Sequence, residues 1–441
     1  MSELDPAAKP HAPFAERGSH DGVDVVLATP PVSEGEMSPH GPGVPPLGLL
    51  YLAAVLRDAG RRVVVVDAAW EALGVAEAAI RILAWRPRLV GLTGTTCEYP
   101  RVVELVRELK RRQPCIRVVG GGPHVTYRPH EALADGFDVV VLGEGELALV
   151  ALIEEGEAAA ASLPNVVTGR APGRTVLRST DVGSIPVPAR DLVDLVSYRF
   201  PGVMVSARGC PHGCYFCSVS RRAGAFRPRP EDCVVAEALD LRDRYRLGRV
   251  EFLDDTFFAV PERALRLGRA IGKLGLEWAA ASRVDEILAL GRGLFVLAES
   301  GLSTLFLGIE SGDDGVLRRA KALTLSETKH AVQIALDVGI PHIRASFIVG
   351  HPWDTAATIA NTERFMLDLL DRGVDVSVSL LTPYPGSVAG DRPELLGLAV
   401  RERDYRHYTG MFAVVDTPHL SAEWLQERYL ELLDRLWEAN G

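Results

Sequence analysis

The chain has 441 residues, 47% hydrophobic and 24% charged, a globular composition with room for two or three domains. A net charge of −10 argues against nucleic acid as a partner, because a phosphate-binding surface needs clustered Lys and Arg. The polar start "MSELDPAAKPHAPFAERGSHDG" lacks the apolar core of a secretory signal, and no apolar run reaches the roughly 18 residues of a membrane span. A cytoplasmic protein is expected, with its six cysteines kept as thiols.

After a disordered tail (1–21), short Val-rich runs alternate with helical patterns. "VDVVLATPP" (23–31), "RRVVVVDA" (61–68), "RLVGLTGTT" (88–96), "IRVVGGGP" (116–123) and "FDVVVLGEGE" (137–146) read as strands buried on both faces of a parallel sheet. Between them, "PLGLLYLAAVLRDAG", "YPRVVELVRELKRRQ" and "PHEALADG" have helical spacing and stop at Gly or Pro. Residues 22–155 are therefore a doubly wound α/β domain. Residues 156–200 mix Ala, Gly, Pro and Ser with two weak strand signals and read as a linker. A second α/β series fills 201–390, with strands near 203–207, 249–253, 276–281, 304–308, 342–348 and 375–381. It predicts an open, partial (β/α)6 barrel, smaller than the usual eight units. Residues 391–441 form a C-terminal helical region ending in the amphipathic "SAEWLQERYLELLDRLWEAN".

The chemistry concentrates in "SARGCPHGCYFCSVS" (206–220), where Cys210, Cys214 and Cys217 stand at a C-x3-C-x2-C spacing. Structural zinc usually takes four ligands, and Cys97, Cys115 and Cys233 are scattered without knuckle spacing. Thiolates also hold iron–sulfur clusters, and a cubane with three of them keeps one iron open. Unliganded thiols are a third reading. The loop follows the first barrel strand, at the C-terminal mouth where barrel enzymes place their chemistry.

With Phe216 just before the third Cys, this spacing resembles the radical S-adenosylmethionine superfamily. Similar segments follow in the family's order: "EFLDDTFF" (251–258), "ASRVDEI" (281–287), "LGIESGDDGVLRRAKA" (307–322), "GIPHIRASFIVGHPWDT" (339–355) and "LLTPYPGS" (380–387). The α/β domain ahead of the cysteines resembles the cobalamin-binding domain of the cobalamin-dependent branch, so the likeness spans about residues 22–390.

The resemblance implies an enzyme in which Cys210, Cys214 and Cys217 ligate three irons of a 4Fe–4S cluster. The fourth iron would chelate S-adenosylmethionine, whose reductive cleavage yields a 5′-deoxyadenosyl radical. Phe216 would lie near the adenine, and Asp254 and Asp255 would accept hydrogen bonds from the ammonium. Arg283 would face the carboxylate, unless it pairs with Asp285 or Glu286. Glu310 and Ser311 would bind the ribose, with Ser346 a weaker contact. The Asp pair departs from the family's commoner Gly-Gly-Glu, and either Asp is also placed to cap the next helix.

Open α/β sheets bind ligands at the carboxyl ends of their strands. The Gly-rich ends "GLTGTT", "GGGPH" and "GEGE" thus offer Thr93, Thr95, Gly121, Gly122, Gly143 and Glu144 as cobalamin contacts. None of the 11 His follows an Asp by two residues, so the Asp-x-His-x-x-Gly motif that gives cobalt a lower ligand is missing. The expected activity is methylation of an unactivated carbon in a small molecule, possible substrates including secondary-metabolite intermediates. Electrons would come from an external donor such as flavodoxin or ferredoxin. Radical rearrangement, ring contraction or oxidative cyclisation is the alternative, and a non-catalytic cobalamin or iron–sulfur sensor is the alternative of another class. Tyr384, in "TPYPG", is a candidate catalytic residue near the substrate, against a turn-packing role.

Overall fold

The Val-rich runs become strands because each is covered on both faces. The computed structural model describes residues 22–31, 43–169, 181–219 and 225–439; the tail 1–21 lies outside them. Strands β1 (Val25–Thr29), β2 (Val63–Asp67), β3 (Leu89–Thr93), β4 (Arg117–Gly121) and β5 (Val139–Val141) are parallel, in the order β2-β1-β3-β4-β5. Val26, Val66, Val90 and Val118 pack under the helices Val75–Ala84 and Tyr99–Arg112. Their neighbours Val25, Val65, Leu89 and Val119 pack on the other face, under Leu47–Asp58 and Glu146–Glu154. The sheet has a sixth member, β6 (Val166–Thr168), antiparallel to β5. It lies inside the stretch read as a linker, where three residues gave too short a pattern to stand out from turns.

The second sheet holds β7 (Val203–Met204), β10 (Arg249–Phe252), β11 (Glu277–Arg283), β12 (Leu302–Glu310), β13 (His342–Val349) and β14 (Asp375–Leu380). All are parallel, in the order β14-β13-β12-β11-β10-β7. Between β7 and β10, β8 (Ala207–Arg208) and β9 (Arg227–Pro228) pair antiparallel at the base of the cysteine loop. Along β13, Ile343, Ala345, Phe347 and Val349 are buried, while the exposed Arg344 and the half-buried Ser346 and Ile348 alternate with them. Arg344 and Ser346 line an internal cavity. In the closed eight-stranded barrel, bulky branched residues fill the interior; here small and polar ones leave it open. The C-terminal region adds a short antiparallel pair, β15 (Ala399–Val400) and β16 (Val415–Asp416), before the helix Ala422–Ala439. That helix packs on the edge strand β14, and its Tyr429 hydroxyl donates to the Val378 carbonyl at 3.3 Å. Among the described residues, no helix is long and apolar enough to cross a membrane.

A buried ionic knot joins the two sheets. Glu237, fully buried, accepts Arg190 Nη2 and Arg229 Nη1, each at 2.6 Å. Arg229 also donates to the Tyr51 hydroxyl of the first domain at 3.1 Å. A buried carboxylate is tolerable only with such partners.

Asp254 was expected at the cofactor, and the structure gives it another task. It is 5% exposed and accepts both the Ser206 amide at 2.6 Å and the Ser206 hydroxyl at 2.5 Å. It therefore pins the start of the cysteine loop to the end of β10. Nor does either Asp cap the helix Pro261–Lys273, which begins after Val260.

Removing one partner from the knot leaves buried charge uncompensated. Glu237→Leu should lower stability by about 3–5 kcal/mol, read from urea-unfolding midpoints. Breaking the half-exposed Arg57–Asp191 pair with Arg57→Ala should cost less than about 1 kcal/mol. Burial pushes the Asp254 carboxyl up to about 6 from an ordinary 3.8. The folded chain thus holds this proton more tightly than the unfolded chain, so its contribution is fully present below pH 4 and is lost as pH rises to about 6. Asp254→Asn should remove a pH-dependent difference on the order of 3 kcal/mol across that window, read by unfolding at several pH values.

Candidate active site

A cavity of about 660 Å³ opens at the barrel mouth and runs down its interior. It gathers Cys210, Cys214, Cys217, Phe216, Asp255, Arg283, Glu310 and Ser346 of the expected residues, together with His212, Lys321 and Arg344. The loop carrying the cysteines has little regular structure, so its backbone and side chains are held by neighbours. Gly209, at φ 88°, presents its amide to Asp255 at 3.2 Å. His212 Nε2 lies 3.0 Å from Glu286, which also accepts the Thr256 hydroxyl. The Tyr215 hydroxyl meets Nδ1 of the fully buried His351 at 2.5 Å. Phe216 packs edge-on to Tyr215, with ring centroids 5.3 Å apart.

The thiols sit among charges. Burial first, then nearby Asp255, Cys217 and Glu286, push the Cys210 thiol up to about 11. Arg283 Nη1 donates to Cys214 Sγ at 3.1 Å, and the Val219 amide to Cys217 Sγ at 3.4 Å. Among the described residues, no three His, Cys, Asp or Glu side chains are grouped as a single metal ion would need. Three thiols on one loop beside an open cavity, with sulfur-directed donors, fit an iron–sulfur cluster that leaves one corner for a further ligand.

Glu310 is strained in a way that serves the cavity. It has φ 74°, uncommon for a residue with a side chain, at a register shift between β12 and β13. Such a conformation costs on the order of 1–3 kcal/mol. Lys321 offsets it, donating from Nζ to Glu310 Oε1 at 2.9 Å and to the Gly308 carbonyl at 2.7 Å. A side chain at 308 would begin 2.8 Å from Glu310 Oε1 and 3.0 Å from Lys321 Nζ, so it would have to displace this ion pair.

Other expected residues stand elsewhere. Ser311 is buried outside the cavity, close to the Thr362 hydroxyl at 3.2 Å and accepting the Asp313 amide. Its pattern marked a turn as well as a ligand, and the turn uses it. Tyr384 packs with Leu381, Ala389 and Tyr408 rather than lining the cavity. Burial and then the nearby Cys97 thiol push its phenol up to about 12, which sets it against the first domain.

In the first domain, Gly121 has open space: a side chain there would meet only the Val141 carbonyl, at 3.9 Å. That leaves backbone free for close approach by a bulky ligand, as a cobalamin tail requires. Gly122, at φ 90°, is instead closed over by the Thr93 hydroxyl, 2.3 Å from where its side chain would start. Thr95 gives both amide and hydroxyl to Glu98, at 2.7 and 2.8 Å. The Gly143 amide goes to the Thr126 hydroxyl at 3.0 Å. Glu144 turns to the barrel and pairs with Arg208 at 3.2 Å and Arg227 at 2.7 Å. Trp70, after β2, stacks on Tyr198 at 4.4 Å.

Sequence reading missed Lys321, His351 and Tyr127, and named Glu286 only as a partner for Arg283. The Tyr127 hydroxyl donates to the Ser218 carbonyl at 2.6 Å, joining the first domain to the residue after Cys217. Gly386 has its own reason to be glycine, since a side chain there would strike the Tyr127 ring. A polar residue flanked by turn formers, as in "VGHPW", was the one signal that pointed to His351.

Two family models match the chain: the B12 binding domain over residues 41–153 and the radical SAM superfamily over residues 204–366. An uncharacterized methyltransferase of Pyrococcus horikoshii is 30% identical over 424 residues, 92% of this chain and 90% of that one. The anaerobic magnesium-protoporphyrin IX monomethyl ester cyclase of Rubrivivax gelatinosus is 28% identical over 89% of this chain and 72% of its own. In fold, the chain is similar to the radical S-adenosylmethionine methyltransferase TsrM of Kitasatospora setae, solved with cobalamin and a 4Fe–4S cluster bound. The TM-score is 0.69 at 20% identity, covering 95% of this chain and 89% of that one. Near-full-length likeness, two matched modules and a cysteine-lined cavity lead to one conclusion: the chain belongs to the cobalamin-binding-domain family of radical S-adenosylmethionine enzymes.

Proposed function

We propose that the chain methylates an unactivated carbon of a small molecule held between the strand ends of the first sheet and the barrel mouth. The observation that carries this is the clamp between the two modules at the cysteine loop. Tyr127 donates to Ser218, and Arg208, two residues before Cys210, is held by Glu146 at 2.7 Å and Glu144 at 3.2 Å. A methyl donor and a radical source must meet one substrate, and a fixed distance between their sites serves that need.

Cys210, Cys214 and Cys217 would hold the cluster, and the Gly121 face of the first domain would take cobalamin. When bound, these groups supply a hydrogen-abstracting radical from S-adenosylmethionine and a transferable methyl group. The chain's own residues position and enclose. Asp255, fixed by the Gly209 amide, offers a carboxylate beside the cysteines for an ammonium group. Glu310, which lines the cavity with one oxygen tied to Lys321, would accept the hydroxyls of a diol. Phe216 gives an apolar wall. Tyr384, outside the cavity lining and near the Cys97 thiol of the first domain, would border a substrate held between the two modules. An external one-electron donor of flavodoxin or ferredoxin type supplies electrons. Six free cysteines suit a reducing cytoplasm.

Oxidative cyclisation is the second reading, motivated by the cyclase relative that matches 89% of this chain. The test is anaerobic: reconstituted enzyme, methyl-labelled S-adenosylmethionine, reductant and a low-molecular-weight cell extract. Methylation requires S-adenosylhomocysteine, 5′-deoxyadenosine and label in a new small molecule together, all lost in Cys214→Ala. Substrate-dependent deoxyadenosine with no label transferred would sink methylation and favour cyclisation.

A further inference from the structure

Arg283 was expected at the carboxylate of S-adenosylmethionine, but its hydrogen bonds point elsewhere. Its Nε and Nη2 edge lies against Asp285, at 2.9 and 3.4 Å. Nη2 also donates to the Lys321 carbonyl at 3.2 Å, and Nη1 donates to Cys214 Sγ at 3.1 Å. A guanidinium has five N–H groups, and these contacts leave at most one uncommitted. Recognition of a carboxylate by arginine normally uses two parallel N–H groups, and the paired edge that would supply them is engaged by Asp285.

The aim at sulfur is fixed from several sides. Lys321, whose carbonyl steadies Nη2, is itself anchored through Nζ to Gly308 and Glu310. On the other flank of Cys214, Tyr215 is held by His351. Cys217 Sγ accepts the Val219 backbone amide at 3.4 Å, while Cys214 Sγ accepts an N–H that carries a full positive charge.

We propose that Arg283 is a positioning and tuning residue: it donates a charge-assisted N–H to the sulfur of Cys214 and thereby raises the reduction potential of the cluster held there. Reduction adds one electron whose charge spreads onto the sulfurs. A cationic donor stabilises that reduced form more than the oxidised one, and hydrogen bonds to sulfur are among the terms that set such potentials. The inference rests on the family's cluster and not on the identity of the product, so failure of the methylation test leaves it standing.

The experiment uses the full chain, anaerobically reconstituted with iron and sulfide, without S-adenosylmethionine. The midpoint potential of the cluster is measured by a redox titration followed by electron paramagnetic resonance. Iron content and the equilibrium affinity of the oxidised enzyme for S-adenosylmethionine are measured alongside. Arg283→Met should keep its iron and bind S-adenosylmethionine within about twofold of the parent. Its midpoint should fall by about 59 mV, a tenfold shift in a one-electron equilibrium. An unmoved midpoint overturns the proposal; an affinity drop of tenfold with that unmoved midpoint assigns Arg283 to the carboxylate instead. Should Arg283→Met take up no iron, Arg283→Gln decides. It keeps N–H donors but loses the positive charge, and its midpoint should fall in the same direction, an unchanged value again overturning the proposal.

Discussion

The cysteine loop cannot hold itself. From Gly209 to Cys217 it makes no helix or strand, yet three sulfurs must stay in one arrangement for a cluster to assemble. Polar groups in such a loop need partners from outside it. Here they come from separate elements: Asp254 and Asp255 after β10, Arg283 at the end of β11 and Glu286 in the first turn of the helix after it, His351 after β13, and Tyr127 of the first domain. Each sits at a strand's carboxyl end or just beyond, which is why a parallel sheet suits the task.

The same constraint explains the polar interior. Closing a loop onto a cavity would fail if bulky residues filled the barrel. Ala281, Gly308, Ser346 and Ser377 keep it open while the opposite faces of their strands bury Leu305, Leu307, Ala345 and Phe347. The stability not gained in the lumen is found under the helices, while the knot of Arg190, Glu237 and Arg229 holds only as long as each charge keeps its partner. That knot also fixes the first domain on the barrel, so stability and the distance between the two modules share one set of bonds.

Much of the site was legible because its chemistry is local in sequence. C-x3-C-x2-C lies within eight consecutive residues, and Asp255, Arg283 and Glu310 each end or follow a strand that its apolar pattern revealed. Adjacent residues were harder to separate. Asp254 and Asp255 look alike in sequence, but one faces Ser206 and the other the cavity, because successive residues near a strand end point to opposite sides. Glu310 and Ser311 divide in the same way, one lining the cavity and one serving a turn.

The sequence by itself determined the two α/β modules, their order, the sulfur ligand set and hence the family, since periodicity and ligand spacing are properties of short segments. Tertiary structure alone decided which charges meet. Glu144 pairs with an Arg 64 positions away at Arg208, Tyr127 reaches Ser218, and Arg283 meets Cys214 through contacts no local pattern encodes. Hydrogen bonds and ion pairs act over a few ångströms, and folding sets those distances between residues far apart along the chain.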